Sequence, residues 1–322
     1  MELSVVATLY RSAPFLREFH RRACAAAEKV TGDFEIVLVN DGSPDDAQAV
    51  ALTLCREDPR VQVVELSRNF GHHKAMMTGL AHARGRLVFL IDSDLEEDPE
   101  LLESFHRELL ASGADVVYGV QRRRKGGWYE RLTGSLFYRL FNALSPVPIP
   151  PNLTTARLMT RPYVRALLRH RDRELFIAGL WAITGFRQVP LAVQKHSRPG
   201  SSYTFARKLA LLVNAVTSFS NRPLVLIFYL GCVLLSASGA AGLYLIARRL
   251  FCGELTEGWA SIMVSIWFLC GLILFCLGIM AIYLSKIFME TKRRPLTVVR
   301  HVHGQRPGRK TGNEARRPLA AD

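Results

Sequence analysis

The sequence predicts an α/β domain with a mostly parallel sheet covered by helices, followed by two transmembrane helices. Short apolar runs alternate with stretches of helical period before residue 120. Continuous apolar strands of this kind are typical of parallel sheets buried on both faces. Two uncharged segments follow at 224–247 and 258–285. Each is longer than the roughly 20 residues that a helix needs to cross a bilayer core.

Five strands are predicted in the soluble part, each rich in β-branched and other apolar residues. They cover 3–9, 34–40, 61–66, 86–91 and 114–119, and the helical-period stretches between them include 14–30 and 45–58. The chain is 49% apolar and 22% charged, which excludes a disordered or collagen-like protein.

Polar side chains follow four of these strands at the point where each strand ends. Because ligands of such sheets lie at the carboxyl ends of the strands, these residues are the first candidates for a site. Asp41 and Ser43 taken alone are also compatible with a turn and a helix N-cap. The convergence of four strands favours a site. Its candidates are Thr8, Tyr10, Asp41, Ser43, Arg68, Asn69, Asp92, Ser93 and Asp94.

Asp92-Ser93-Asp94 is the most specific of these features. Two carboxylates directly after a buried strand can bind one divalent cation that shares its coordination shell with substrate phosphates. The acids from Glu96 onward also suit the positive end of a helix dipole. The chain has no GxxxxGK[ST] loop and no GxGxxG turn, which disfavours ordinary NTPases and Rossmann dehydrogenases.

Four ordered motifs carry a resemblance to a known family: VNDGSPDD, LSRNFGHHKAMMTGL, FLIDSDLEEDPE and DVVYGVQRRRKGG. In this order they resemble family 2 glycosyltransferases of the GT-A fold. More narrowly, they resemble the polyprenyl-phosphate branch that includes dolichol-phosphate mannose synthase and the bactoprenol glucosyltransferases. The resemblance covers most of residues 3 to 222 and extends to the tail with two spans.

The resemblance implies roles for individual residues. Asp92 and Asp94 would coordinate Mg²⁺ or Mn²⁺ on the donor diphosphate, and with Arg198 they form the implied catalytic set. Arg198, Ser202 and Tyr203, in the segment HSRPGSSYTFARKL, would lie near the lipid phosphate. A plain surface loop is the alternative for that segment. The implied nucleotide-sugar-binding residues are Thr8, Tyr10, Asp41, Ser43, Arg68, Asn69, Lys74 and Ser93.

One departure from the family concerns the general base. Many relatives read Gly-Asp-Phe-Arg-Leu-Met where this chain has Thr154-Thr155-Ala156-Arg157-Leu158-Met159, so Thr155 replaces the acidic residue. A sugar hydroxyl acceptor needs a base. A phosphomonoester, with a second pKa of about 6, is already largely ionised at neutral pH. The missing carboxylate is therefore more tolerable with a polyprenyl phosphate acceptor.

The expected function is the inverting transfer of a hexose from a nucleotide sugar to polyprenyl (undecaprenyl) phosphate at the cytoplasmic membrane face, feeding envelope glycan or O-antigen modification. A transferase acting on a hydroxyl acceptor is the first alternative, with a base among Glu96, Glu97, Asp98 or Glu174. A membrane-anchored binding partner with a decayed site is the second. Relatives imply a homo-oligomer.

The predicted domains are a cytoplasmic catalytic domain at 1–221, a two-helix membrane region at 222–286 and a basic tail at 287–322. The predicted spans cover about 224–247 and 262–285, and an amphipathic helix at 128–145 is predicted to lie at the membrane surface or to face the core. From residue 286 onward there are ten Lys/Arg against three Asp/Glu, so this tail carries +7 of the chain's net charge of +14. The positive-inside rule then places both termini in the cytoplasm, as a multi-pass inner-membrane protein, and no signal peptide is expected. The basic tail is interpreted as an anchor on anionic lipid, not as a nucleic-acid site.

The six cysteines add no predicted site. There is no CxxC pair and no recognisable Cys/His ligand spacing, so neither structural zinc nor a disulfide framework is indicated. Buried free thiols are expected.

Overall fold

The computed structural model describes residues 1–121, 150, 152–173, 175–194, 217, 220, 222–252 and 258–304. In chain order the elements are β1 (Leu3–Leu9), α1 (Ala13–Glu28), β2 (Phe34–Asn40), α2 (Ala47–Glu57), β3 (Val61–Leu66), α3 (His72–His82), β4 (Leu87–Leu90), α4 (Leu101–Ser112), β5 (Val116–Gln121), β6 (Leu153–Thr160), α5 (Arg161–Leu167), α6 (Ile177–Ile183), β7 (Gln188–Val193), α7 (Arg222–Cys252), α8 (Trp259–Thr291) and β8 (Val299–His303).

The chain forms two compact units. The first contains Met1–Gly113, Thr155–Val164 and the segment from Thr297 onward, and the second contains Ala114–Thr154 and Arg165–Leu296. The five predicted strands are all present as β1 to β5, and the two predicted helices are α1 and α2. The α/β fold with a mostly parallel, helix-covered sheet is thereby confirmed. The predicted domain boundaries stay a prediction.

The sheet of the first unit has the order β6-β4-β1-β2-β3-β8. Its centre is parallel, since β1 pairs with both β2 and β4, and β2 pairs with β3. Every residue of β1, β2 and β3 is buried, as expected for strands covered on both faces. The two outer strands run the other way: β6 is antiparallel to β4, and β8 is antiparallel to β3.

Helix α3 packs very closely on this sheet because it carries a glycine where it crosses two strands. A Cβ atom on Gly79 would lie 2.5 Å from Val6 Cγ1 and 2.9 Å from Val39 Cγ2. Any larger residue would push α3 away from β1 and β2. This close approach fixes the position of the first turn of α3, which begins at His72 beside the carboxyl ends of those strands.

The second unit contains a short parallel strand pair and two long helices. β5 pairs with β7, from Val116 opposite Gln188 to Gln121 opposite Val193. Within the described residues one segment, Ser265–Thr291 of α8, is long and apolar enough to cross a membrane, and Arg222–Ser238 of α7 is a shorter apolar helix. The predicted span at 224–247 is therefore not confirmed, and a multi-pass arrangement stays a prediction.

Several predicted features lie outside the described residues. These are the amphipathic helix at 128–145, the basic tail beyond residue 304, and the individual residues Glu174, Arg198, Ser202 and Tyr203.

Candidate active site

A chain of polar contacts joins β1, α3 and the turn after β4. Thr8 Oγ1 lies 3.1 Å from His72 Nδ1, and His72 Nε2 lies 3.3 Å from Asp92 Oδ1. Ser93 Oγ donates a hydrogen bond of 2.7 Å to the carbonyl oxygen of Thr8. The structure thus brings together three of the predicted site residues, and His72 connects two of them. His72 is not among the site residues predicted from the sequence, and it lies in the first turn of α3.

Asp41 holds the turn between β3 and α3. Its carboxylate accepts hydrogen bonds from the backbone N–H groups of Phe70, at 2.7 Å, and Gly71, at 3.0 Å. Burial raises the pKa of Asp41 above its ordinary value, and these two backbone hydrogen bonds oppose that shift. Both carboxylate oxygens are therefore engaged in positioning the segment that carries Arg68 and Asn69. The role of Asp41 in nucleotide binding stays a prediction.

Ser43 and Arg11 connect the segments that follow β1 and β2. The backbone N–H of Arg11 donates to Ser43 Oγ at 2.8 Å, and Ser43 Oγ donates to Asp45. Arg11 has a φ of 54°, in the left-handed region that side chains rarely adopt. Tyr10 is 49% exposed beside it, with the Arg11 guanidinium 5.7 Å from its ring centroid. An exposed aromatic ring at this edge can stack on a nucleotide base.

The cationic residues of the site lie on the turn before α3 and on its first turn. Arg68 is exposed, and its guanidinium lies 4.3 Å from the ring centroid of Phe70. Its Nη1 donates to the carbonyl oxygen of Asn69 at 3.2 Å. Lys74 is half-buried in the first turn of α3. Together they place positive charge at the edge that also carries the aspartates.

The acids that follow Asp94 have separate partners. Glu97 is fully buried, and its carboxylate accepts hydrogen bonds from the backbone N–H groups of Thr155, at 3.1 Å, and Ala156, at 2.6 Å. Asp98 and Glu100 both pair with Arg22 of α1. Only Glu100 stands at the N-cap of α4. Glu100 makes no side-chain capping hydrogen bond there, so for Glu100 the expectation that these acids serve a helix N-terminus stays a prediction. For Glu97 it is wrong, because its carboxylate holds two backbone N–H groups of β6.

These contacts bear on the question of a general base. Glu97 has no exposed surface, and both of its oxygens accept backbone hydrogen bonds. Asp98 is held by the Arg22 guanidinium at 2.6 Å. Glu96 is half-buried, and its backbone N–H donates to Asp94 Oδ1 at 3.0 Å. Thr155 is half-buried and carries no group that could act as a base at neutral pH.

Asp92 and Asp94 fit a hard divalent cation by the chemistry of their donor atoms. Both are half-buried carboxylates in the turn directly after β4, and carboxylate oxygen is the preferred protein ligand of Mg²⁺ and Mn²⁺. Such ions keep several coordination positions for phosphate oxygens and water, so two protein carboxylates suffice. The residues present therefore fit the cation that the family implies.

The sequence model of the family described as Glycosyl transferase family 2 matches residues 4–171, a range that contains every described site residue. The chain belongs to glycosyl transferase family 2. The resemblance seen in the four motifs is thus confirmed, and the protein is a transferase of glycosyl groups on a GT-A-type fold.

The similar proteins include both named transferases and a solved structure. A Mycobacterium tuberculosis protein named as a glycosyltransferase is 56% identical over 94% of this transferase and 89% of that protein. The SfII prophage-derived bactoprenol glucosyl transferase of Shigella flexneri is 32% identical over 95% of this chain and 100% of its own. The crystal structure of glucosyl-3-phosphoglycerate synthase from M. tuberculosis, with Mn²⁺, uridine diphosphate and phosphoglyceric acid, is 21% identical, with a TM-score of 0.45, and covers 67% of this chain and 78% of that one. A likeness at this last level says nothing about the ligands of this chain.

Proposed function

We propose that this transferase moves a hexose from a nucleotide sugar to a polyprenyl (undecaprenyl) phosphate at the cytoplasmic face of the membrane, with inversion at the anomeric carbon. The observation that carries the proposal is the pair Asp92 and Asp94 at the carboxyl end of β4, tied through His72 to Thr8. Nearly full-length relatives named bactoprenol glucosyl transferases support the choice of acceptor.

The donor would bind along the edge formed by the ends of β1, β2 and β4. Tyr10 offers a face for the base, and Arg68 and Lys74 offer charge to the diphosphate. A divalent cation held by Asp92 and Asp94 would neutralise charge on the leaving diphosphate. The contacts of Asp41 and Ser43 keep the surrounding turns in place, which limits the reorganisation needed when the donor binds.

The acceptor chemistry fits the absence of a base at Thr155. An oxygen of the lipid phosphate attacks the anomeric carbon, the bond from that carbon to the diphosphate breaks, and the nucleoside diphosphate leaves. No proton has to be removed from the attacking oxygen, because a phosphomonoester is mostly ionised at pH 7. The engagement of Glu97 and Asp98 by other groups argues against the alternative with a hydroxyl acceptor.

The membrane part of the proposal rests on α8 and on the distribution of charge. Ser265–Thr291 is long and apolar enough to span a bilayer, and basic residues follow it directly, beginning with Lys292, Arg293 and Arg294. Positive flanks of this kind favour a cytoplasmic location for the segment after the helix. We extend the proposal to two spans with both termini in the cytoplasm and to a homo-oligomer.

One experiment tests this function. Membranes containing the full chain are incubated with a panel of radiolabelled nucleotide sugars and with undecaprenyl phosphate. We expect one label to enter the organic phase as a glycolipid that releases its sugar in mild acid. Label that instead stays in an aqueous polysaccharide fraction would contradict the lipid acceptor. In the same assay, Arg198→Ala should raise the KM for lipid more than the KM for the donor, and an equal rise in both would contradict its proposed place near the lipid phosphate.

A further inference from the structure

A cluster of three metal-ligating side chains lies away from the active site, in the first unit. His20 and Cys24 are one turn apart on α1, and Asp58 is the residue that follows α2. α1 starts at the carboxyl end of β1 and runs back along the sheet, and Asp58 precedes the first residue of β3. The cluster therefore belongs to the amino edge of the sheet, opposite the edge that carries Asp92 and Asp94.

The three ligand atoms are close enough to share one ion. His20 Nε2 lies 3.1 Å from Asp58 Oδ2 and 3.4 Å from Cys24 Sγ, and Cys24 Sγ lies 3.7 Å from Asp58 Oδ2. A tetrahedral zinc ion with ordinary bond lengths to N, O and S ligands separates those ligands by about 3.4 to 3.6 Å. The cluster thus has the spacing of a zinc site with an open fourth position, and we infer that it binds Zn²⁺.

The charges around the cluster favour a divalent cation. Asp58 and Glu28 are two negative charges, and Arg60, which contacts both, is the positive charge between them. These three side chains together carry one net negative charge. Zinc binds the thiolate, and the thiol proton leaves to solvent. The ion therefore brings one net positive charge and neutralises the cluster.

Arg60 donates hydrogen bonds to the carboxylate of Asp58, the third ligand of the cluster. Its backbone N–H and its Nε donate to Asp58 Oδ1, at 2.9 and 3.0 Å, and its Nη2 donates to Oδ2 at 3.0 Å. An ionised carboxylate oxygen has two lone pairs, so Oδ2 can keep Arg60 and still face a metal ion. Outer-shell hydrogen bonds of this kind hold the ligand carboxylates of metal sites in a fixed orientation.

The proposed ion would join α1 to the connection between α2 and β3. His20 is 17% exposed and Asp58 is 10% exposed, so the site is shielded but has a path to solvent. Because the site lies at the edge opposite Asp92 and Asp94, the ion would hold these two elements together and take no part in the transfer reaction. This inference does not rest on the proposed function, and it goes beyond the sequence spacing, which did not indicate structural zinc. The sequence spacing of His20 and Cys24 gives only two ligands. Asp58, 34 residues after Cys24, comes close to them only when the chain folds.

Cobalt substitution tests the site in the full chain, purified in detergent and freed of metal. Co²⁺ bound to a thiolate gives a charge-transfer absorption in the near ultraviolet, which an oxygen-only site at Asp92 and Asp94 does not give. We expect this band in the wild-type protein and in the control Cys55→Ser, with one equivalent of Zn²⁺ removing it, and we expect no band in Cys24→Ser. We expect His20→Gln to weaken zinc binding by at least about tenfold, the loss seen even for outer-shell changes.

Two results would overturn the proposal. Saturating Co²⁺ that gives no thiolate band with the wild-type protein would show that the cluster is a hydrogen-bonded network and not a metal site. A band that persists in Cys24→Ser would assign the thiolate to another cysteine. Asp92→Asn should keep the band while losing glycolipid synthesis, so that failure of the zinc site and failure of the proposed function are separately visible.

Discussion

Glu97 Oε2 accepts a hydrogen bond of 2.6 Å from the backbone N–H of Ala156, a residue 59 positions later in the chain. The second oxygen of the same carboxylate accepts from Thr155. The turn after β4 that carries Asp94 is therefore fixed to the start of β6. The separation between the aspartate pair and Thr155 is set by this buried side chain together with the antiparallel pairing of β4 and β6.

Replacing Glu97 by glutamine should destabilise the protein. The amide offers only one acceptor atom, and its NH₂ group faces a backbone N–H, so one buried donor loses its partner. We expect the free energy of unfolding to fall by about 1–3 kcal/mol, as measured by denaturant titration in detergent. Glu103→Gln on the exposed side of α4 is the control, because surface ion pairs contribute about 0–1 kcal/mol. Equal effects of the two substitutions would contradict a special role for Glu97.

Gly42→Ala should lower the free energy of unfolding by more than the left-handed backbone conformation alone explains. Gly42 has a φ of +60°, and a Cβ there would lie 2.5 Å from the backbone nitrogen of Asn69. Gly113 has a φ of +62° with nothing within 4 Å of its Cβ position. Gly113→Ala therefore measures the left-handed strain alone, about 1–2 kcal/mol.

We expect Gly42→Ala to exceed that loss of stability and also to raise the KM for the donor, because it displaces the turn that carries Arg68 and Asn69. Thermal unfolding and steady-state kinetics of both variants check this. Two variants with the same loss of stability and the same donor KM would show that the turn tolerates displacement.

The central strands could be predicted from sequence because their physics is local. Each of β1, β2 and β3 is a continuous apolar run, and the predicted bounds match the observed ones. The antiparallel strands β6 and β8 lack that signal. β8 reads Val-Arg-His-Val-His, with Arg300 and His301 exposed and the other three residues half-buried. Such strands are specified by backbone pairing with a sheet that only the fold provides.

Part of the candidate site can also be placed from the sequence. Residues that follow a buried strand, such as Asp92, can be placed at the sheet edge from the strand pattern alone. The role of His72 depends on how closely α3 approaches β1, which Gly79 determines, and no sequence spacing reports that distance. Glu97 lies in an acidic run in which Asp98 and Glu100 pair with Arg22. Its own partners are backbone groups 58 and 59 positions away.

Asp94→Ala should abolish metal-dependent transfer without unfolding the protein. Loss of one of the two carboxylates removes a ligand from the cation that neutralises the leaving diphosphate, a contribution of several kcal/mol. We expect at least about a 100-fold loss of glycolipid synthesis, with unchanged membrane insertion. The exposed Asp33→Asn serves as control and should keep full activity. Full activity of the wild-type protein in EDTA would refute the metal role of this site.

The pairing of Arg22 with Glu100 predicts a specific response to acid. Hydrogen bonds from the Arg22 guanidinium lower the pKa of Glu100 below its ordinary value, which is about 4.3 in unfolded chains. A carboxyl group with a lowered pKa in the folded state stabilises the protein above the unfolded pKa, and that stabilisation is lost as the pH falls through the folded pKa. The wild-type protein should therefore lose more stability below about pH 5 than Glu100→Gln does.

Denaturant titrations of both proteins across the acid range measure this difference. Arg22→Gln should reduce the acid-dependent loss at least as much, because Arg22 also pairs with Asp98. Adding Glu100→Gln to Arg22→Gln should give little further reduction, because Glu100 has then already lost its partner. An acid response of Glu100→Gln as steep as that of the wild-type protein would mean that the contact between α1 and the start of α4 contributes nothing to folding in solution.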